Sequence, residues 1–257
     1  MKPSINSNDP SSASFSFLTW NILRDGKSPL ASGWVKRRQS FQRILESERF
    51  DIICFQEVLP RQLDFFQSLF SQHHFYGLGR DDGKSGGEHC PIFFDRERFE
   101  LRNSGTFWLS PTPEMPSKGW GEAFPRVCSW VELRDRITGR AFRVSNLHLQ
   151  LHPYAQSRAA ELLAERFGQV DLPQLVAGDF NCPAHWPGVK KVLACGLKRI
   201  PHGNRATFHL RGFPLRTLDH ILTSSEWFVK EVGILNQRGD SVYPSDHYGL
   251  TARLHLA

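Results

Sequence analysis

Short apolar runs of strand length, with small polar clusters at their ends, constrain this chain more than anything else in it. The clusters are Thr19-Trp20-Asn21, Gln56-Glu57, Asn146-Leu147-His148-Leu149, Gly178-Asp179-Phe180-Asn181, Leu218-Asp219-His220 and Ser245-Asp246-His247. A single polar residue at a strand terminus costs little, because turns and caps also use Asn and Asp. Six clusters, all where loops gather on one edge of a sheet, point instead to a shared site.

The elements between them are mixed. Residues 1–14, rich in Ser, Asn and Pro, read as a disordered tail. Strands are expected at 15–22, 51–56, 91–94, 99–109, 126–133, 141–149, 174–177, 218–222, 230–235 and 247–256. The run 51–56 (DIICFQ) is continuously apolar, the pattern of a strand buried on both faces. Amphipathic helices are expected at 35–50, on Val35, Phe41, Ile44 and Leu45, and at 60–70, 155–170 and 188–194. Residues 134–139 (RDRITG) suit a hairpin turn, and 110–124, rich in Pro, Gly and Trp, a surface loop. Strands and helices interleave, with hairpins in the middle, so the expected class is α/β with a mixed sheet. No repeat or linker interrupts 15–257, which reads as a single domain.

Composition narrows the partners slightly. A formal net charge of +6 suits a polyanionic substrate and equally suits plain solubility. Five cysteines, Cys54, Cys90, Cys128, Cys182 and Cys195, show no CxxC spacing and read as reduced residues. The N-terminal residues lack the apolar core of a signal peptide, and no run of 18 apolar residues occurs. A cytoplasmic protein without a transmembrane segment is therefore expected, and a monomer.

The clusters suit one kind of chemistry. Carboxylate and amide ligands without thiolates favour a hard cation, Mg²⁺ or Mn²⁺. Such an ion can polarise a phosphoryl oxygen. His148 and His247 could neutralise charge on phosphorus or donate a proton. Asp179 could hold an attacking water or take its proton.

In order and spacing, the six clusters resemble the signature segments of the endonuclease/exonuclease/phosphatase superfamily, over residues 15–250. The resemblance implies a four-layer αββα sandwich, two mixed β-sheets packed face to face with helices outside, and a metal-dependent site at one end. It implies Glu57 as the main metal ligand, helped by Asn21 and Asp246. Asp179 and Asn181 would place the water and the phosphate, and Asp219 would orient His247. His148 would be the second catalytic histidine, partnered as in deoxyribonuclease-like members by a glutamate of a glycine-rich loop, here Glu88. The alternative for Glu88 is a solvated loop residue. Arg126, Asn146, Trp120 and Arg80 are the candidate substrate or phosphate contacts. For Arg126 the alternative is a surface salt bridge, and for Trp120 a packed loop residue. The segment 106–113 with Gly119-Trp120 looks like a bacterial branch similar to nocturnin and the deadenylases. Leu147 and His220 depart from the usual residues beside the catalytic groups, and the arrangement of abasic-site endonucleases is not evident.

The implied activity is hydrolysis of phosphodiesters, with nucleic acid as substrate; residues 205–216 (RATFHLRGFPLR) either contact its phosphates or form a solvated loop. A phosphomonoesterase acting on a nucleotide, inositol phosphate or other small phosphorylated molecule is the second reading. A catalytically inactive phosphate-binding protein is the third, and it requires a lost core residue that this sequence does not show.

Overall fold

The computed structural model describes residues 13–26, 32–203, 205–239 and 242–257. The first part of the chain runs β1 (Phe15–Asn21), α1 (Trp34–Ser47), β2 (Ile52–Gln56), α2 (Pro60–Leu69), β3 (His73–Tyr76) and β4 (Ile92–Asp95). The middle holds β5 (Phe99–Trp108), β6 (Val127–Asp135), β7 (Ala141–His148), α3 (Pro153–Gly168), β8 (Gln174–Asp179) and α4 (Pro187–Leu193). The last part holds β9 (Lys198–Arg199), β10 (Phe208–Leu210), β11 (Phe213–Arg216), β12 (Asp219–Thr223), β13 (Trp227–Leu235) and β14 (Gly249–Leu256).

Among the described residues the strands form two six-stranded mixed sheets. One has the order β13-β14-β1-β2-β4-β3 and the other β5-β6-β7-β8-β12-β9. Each sheet contains a parallel pair, β1 with β2 and β7 with β8, whose connection carries a helix, α1 or α3. A parallel connection needs a long crossover, and a helix supplies it on the outer face. The result is the expected four-layer αββα sandwich.

Alternation along the strands builds three apolar layers. Phe15, Phe17, Ile52, Phe94, Val144, Leu175 and Leu254 point into the space between the sheets. Leu18, Trp20, Ile53 and Phe55 point outward under α1 and α2, against Trp34, Phe41, Leu45 and Phe66. Leu147, Val176 and Leu222 point outward under α3 and α4, against Ala159, Leu163, Phe167 and Val192. Each fully buried Phe, Leu or Val contributes roughly 1.5–3 kcal/mol. The strands β2, β8 and β12 are buried along their whole length, as covered central strands must be.

Three of the helices open on proline, at Pro60, Pro153 and Pro187. That ring lacks only an N–H that the first helical turn leaves unused. The turn after β6 closes where expected: Gly139 N donates to Asp135 O at 2.7 Å. Val35 is 63% exposed, so the buried stripe of α1 is Trp34, Arg37, Phe41, Ile44 and Leu45 instead. Strand β3 and the β10–β11 hairpin were not among the expected elements. The expected tail at 1–14 falls, up to residue 12, outside the described residues. Cys54, Cys90, Cys128 and Cys182 are buried and free, and Cys195 is free and half-buried. Among the described residues no helix is long and apolar enough to cross a membrane.

Candidate active site

The space between the sheets changes character along its length. β1 sends Phe15 and Phe17 inward, then Thr19 and Asn21; β7 sends Phe142 and Val144 inward, then Asn146 and His148. Period-two alternation places the polar ends on the same face as the apolar starts. The first polar layer is closed. Gln56 Nε2 donates to Thr19 Oγ1 (3.1 Å) and to Asn146 Oδ1 (2.7 Å), and Asn146 Nδ2 donates to the carbonyls of Phe55 (2.8 Å) and Pro91 (2.9 Å). Beyond that layer lie the reactive groups. The strand register sets His148 beside Asp179 and Asp219 beside Asp179, on three neighbouring strands.

Asp179 Oδ2 is the point of convergence. Asn21 Nδ2 donates to it at 2.9 Å, while His148 Nε2 stands 3.6 Å away and His247 Nε2 3.7 Å away. Burial, helped by Asp219 and opposed by His247 and the hydrogen bond from Asn21, lifts Asp179 to about 7. His247 Nδ1 sits 2.8 Å from Asp219 Oδ2. Burial alone would lower the basicity of His247, but Asp219 and Asp179 outweigh it and raise the ring to about 10. His247 is thus an imidazolium, donating through Nδ1. Its backbone is pinned as well: Trp20 Nε1 donates to its carbonyl at 2.8 Å, and its N–H donates to Ser245 Oγ at 3.1 Å.

His148 is the opposite case. Burial, then Arg126, His247 and Arg80, hold its pKa well below the ordinary value. Arg126 Nη1 donates to Nδ1 at 2.8 Å, so the ring is neutral with its proton on Nε2.

Glu57 and Asp246 form the outer part of the site. Glu57 follows β2 in a left-handed conformation (φ 63°), which bends its carboxylate toward β1. Glu57 Oε1 accepts from Asn21 Nδ2 at 3.1 Å and Oε2 from the Arg24 backbone at 3.1 Å. Burial and the negative charge of Glu57 raise the pKa of Asp246. Two carboxylates that repel each other, neither in an ion pair among the described residues, suit a divalent cation with oxygen ligands. Asn21 Oδ1 accepts from Leu23 N at 3.0 Å, so its amide presents nitrogen to Glu57, and an Asn21 ligand oxygen requires the amide to turn over. Asp179, Asp219 and His247 also offer ligand atoms within 4.8 Å of one another, a buried group that could hold a metal ion.

Several expected contacts are placed differently. Asn146 is fully buried and bridges the two sheets through its whole amide, so it cannot bind phosphate. Glu88 does not partner His148. It is buried between guanidinium groups, paired with Arg80, with Arg126 at 3.8 Å and Arg24 at 3.4 Å, and Arg126 takes the place beside the ring. Arg80 is 5% exposed, paired with Glu88 and under the ring of Phe124, which removes it from the substrate surface. Trp120 packs against the core under α3, with Arg158 over its ring. Asn181 (φ 51°) donates its Nδ2 to Leu149 O at 2.8 Å, and its N–H caps Asp179 Oδ1 at 2.8 Å; it shapes the Asp179 loop.

One organising residue was missed. Arg37 of α1 is 1% exposed and donates to the carbonyls of Ile22 (2.7 Å), Leu23 (2.9 Å) and Pro244 (2.9 Å). It ties the loop carrying Asn21 to the loop carrying Asp246. Burial lowers its pKa to about 10, while Asp246, Asp25 and Glu57 act to keep it charged. The signal was its position one turn before Phe41, on the apolar stripe.

The sequence model of the Endonuclease/Exonuclease/phosphatase family matches residues 18–247. Nocturnin of Drosophila melanogaster is 26% identical over 211 residues, covering 71% of this chain and 31% of that protein. The chain therefore spans about a third of that relative's length. An endonuclease/exonuclease/phosphatase family protein of Bacteroides thetaiotaomicron superposes with a TM-score of 0.85 at 29% identity, covering 95% of each chain. A mannosyl-6-phosphatase of the same species gives a TM-score of 0.85 at 29% identity, covering 93% of this chain and 99% of that one.

Proposed function

The chain belongs to the endonuclease/exonuclease/phosphatase family, and on that premise we propose that it hydrolyses phosphodiester bonds in nucleic acid with the help of a divalent cation. The observation that carries this reading is the convergence of Asn21, His148 and His247 on one oxygen of Asp179.

Glu57 and Asp246 would hold the cation, Mg²⁺ or Mn²⁺, with Asn21 beside them. The ion supplies charge stabilisation at a phosphoryl oxygen. We prefer this location to the Asp179–Asp219–His247 group, because there His247 Nδ1 and Asp219 Oδ2 are already engaged with each other at 2.8 Å, whereas Glu57 and Asp246 are in no ion pair among the described residues. Asp179, lifted to about 7, is a base matched to neutral pH and takes the proton of the attacking water as the water oxygen bonds to phosphorus and the bond from phosphorus to the leaving oxygen breaks, the leaving oxygen taking its proton from solvent. His247, held charged by Asp219, donates to a phosphate oxygen and stabilises the charge that builds there. His148 donates its Nε2 proton as a neutral hydrogen bond to the same group. Arg126, which is 11% exposed at its side chain, fixes that tautomer and is a positioning residue more than a phosphate clamp.

A second reading has a specific basis. The similarity to a mannosyl-6-phosphatase favours a phosphomonoesterase acting on a small phosphorylated molecule. Hydrolysis of single- and double-stranded DNA, RNA, a nucleotide monophosphate, an inositol phosphate and bis-p-nitrophenyl phosphate, with Mg²⁺ or Mn²⁺, separates the two. Each assay is repeated with EDTA and with Glu57→Ala. We expect polymer cleavage that both controls reduce by at least about a hundredfold. Phosphate release from the monoesters alone rejects the diesterase reading, and activity that survives EDTA rejects the cation.

A further inference from the structure

Asp179 and Asp219 bracket 39 residues, 180–218, that contain no Asp or Glu and seven Lys or Arg; the other 218 residues hold all 26 acidic side chains. The β10–β11 hairpin lies in this basic segment and belongs to neither large sheet. Its two-residue turn, Arg211–Gly212, has φ of 49° and 91°, the hand that matches strand twist. A Cβ on Gly212 would sit 2.3 Å from Tyr243 Oη, so the turn is pressed onto that ring.

The hairpin is anchored to the catalytic strands. Thr207 Oγ1 accepts from the backbone N–H of Leu218 (3.0 Å) and Asp219 (3.1 Å), and His209 N donates to Asp246 O at 2.8 Å. His209 turns inward and stacks on Tyr248 at 4.1 Å. Alternation then puts Phe208 and Leu210 on the opposite face, and Phe213, directly across from Leu210, joins them. Phe208 packs on the His247 ring at 5.2 Å. Leu210 is 41% exposed and Phe213 70%. Arg216, across from Phe208, is exposed beside this row. An apolar ladder therefore leads from the imidazolium to the hairpin turn, on a segment whose Asp, Glu, Lys and Arg residues are all basic.

We infer that this face is the platform for one unpaired strand of nucleic acid, whose bases stack on Phe213 and Leu210 while Arg216 attracts its phosphates. The inference rests on the nucleic-acid reading of the site. Exposed aromatic rings among cations are the combination that binds unpaired bases and a phosphate backbone together. In a duplex the base faces are already stacked on each other, so the ladder selects a single strand. An anionic membrane is the other polyanion of this kind. It is disfavoured because the row begins at Phe208 on the His247 ring, inside the site, where a single chain can follow it and a flat bilayer surface cannot.

The test compares Phe213→Ala and Leu210→Ser with the unaltered protein on three probes: a fluorescein-labelled ten-residue oligothymidylate, its duplex with oligoadenylate, and bis-p-nitrophenyl phosphate. For Phe213→Ala we expect the kcat/KM ratio of single strand to bis-p-nitrophenyl phosphate to fall about tenfold, through KM. Fluorescence anisotropy in EDTA should show the same weakening of single-strand binding, and the duplex should bind less well than the single strand. An unchanged ratio overturns the platform. So does co-sedimentation with phosphatidylglycerol vesicles that Phe213→Ala abolishes while oligonucleotide KM stays constant. If the unaltered protein hydrolyses bis-p-nitrophenyl phosphate or a monoester but no oligonucleotide, the nucleic-acid reading itself has failed and the platform falls with it. If it cleaves the oligonucleotide equally well with Phe213→Ala, the platform alone is lost.

Discussion

The two walls of the site present the same side chain to the same carboxylate at nearly the same distance. His148 Nε2 lies 3.6 Å and His247 Nε2 3.7 Å from Asp179 Oδ2. What differs is the group behind each ring. Asp219 stands at Nδ1 of His247, so that nitrogen carries a proton and the ring is charged. Arg126 stands at Nδ1 of His148, so that nitrogen accepts and the ring is neutral. The neighbour one bond further out, not the geometry toward the substrate, decides what each histidine can do. The inversion on the His148 wall follows from charge balance. Glu88 is held among Arg24, Arg80 and Arg126, and these guanidinium groups engage its carboxylate before it can reach a ring.

The comparison breaks most visibly if the two rings are removed in turn. His247→Ala should lower kcat about a thousandfold, because it deletes a charge aimed at the phosphate. His148→Ala should cost about a hundredfold, the loss of a neutral hydrogen-bond donor. Steady-state kinetics on folded variants decide this, and equal losses would mean that the backing groups do not distinguish the rings. The next effect is on pH dependence. The proposed mechanism needs Asp179 without its proton and His247 with one. The rate should therefore rise as pH increases toward about 7 and fall as it passes about 10. A bound cation pulls the rising limb to lower pH, since positive charge favours the carboxylate. Asp219→Asn removes the charge that raises His247, so its falling limb should move toward neutral pH. A limb that stays near 10 in that variant would remove Asp219 from the account.

Most of this arrangement was legible in the sequence because strand ends and polar clusters coincide. Asn21, Glu57, His148 and Asp179 terminate or follow apolar runs, Asp219 and His247 stand at the start of them, and the packing of the strand ends brings them together. What was not legible depends on depth. Asn146 looks like a site residue, one alternation before His148, but that single step places it in the closed layer between the sheets. Arg37 looks like a solvated helix charge until the carbonyls it clamps are in place. β3, with two histidines among four residues, and the hairpin, with Arg-Gly at its turn, lack the patterns that mark strands and two-residue turns.

The smallest expected effect is also the sharpest on the difference between the walls. Arg126→Ala leaves Asp179 and His247 untouched and takes away the donor at His148 Nδ1. Two consequences follow from the causes that depress this ring: burial remains, and the guanidinium repulsion that ranks next is gone. The basicity of His148 should rise, and its proton should no longer be confined to Nε2. Because the productive tautomer is still populated part of the time through proton exchange, the rate should drop by about tenfold, less than in His148→Ala. Nitrogen-15 spectra of the histidine rings read the tautomer directly. The unaltered protein should show His148 with its proton on Nε2 and no titration near pH 6.5, and Arg126→Ala should mix the tautomers and shift the titration upward. Arg126→Lys keeps a donor and a positive charge, so it should restore much of the tautomer preference. If His148 already titrates as an ordinary histidine in the unaltered protein, the guanidinium does not govern it, and the two walls differ in sequence but not in chemistry.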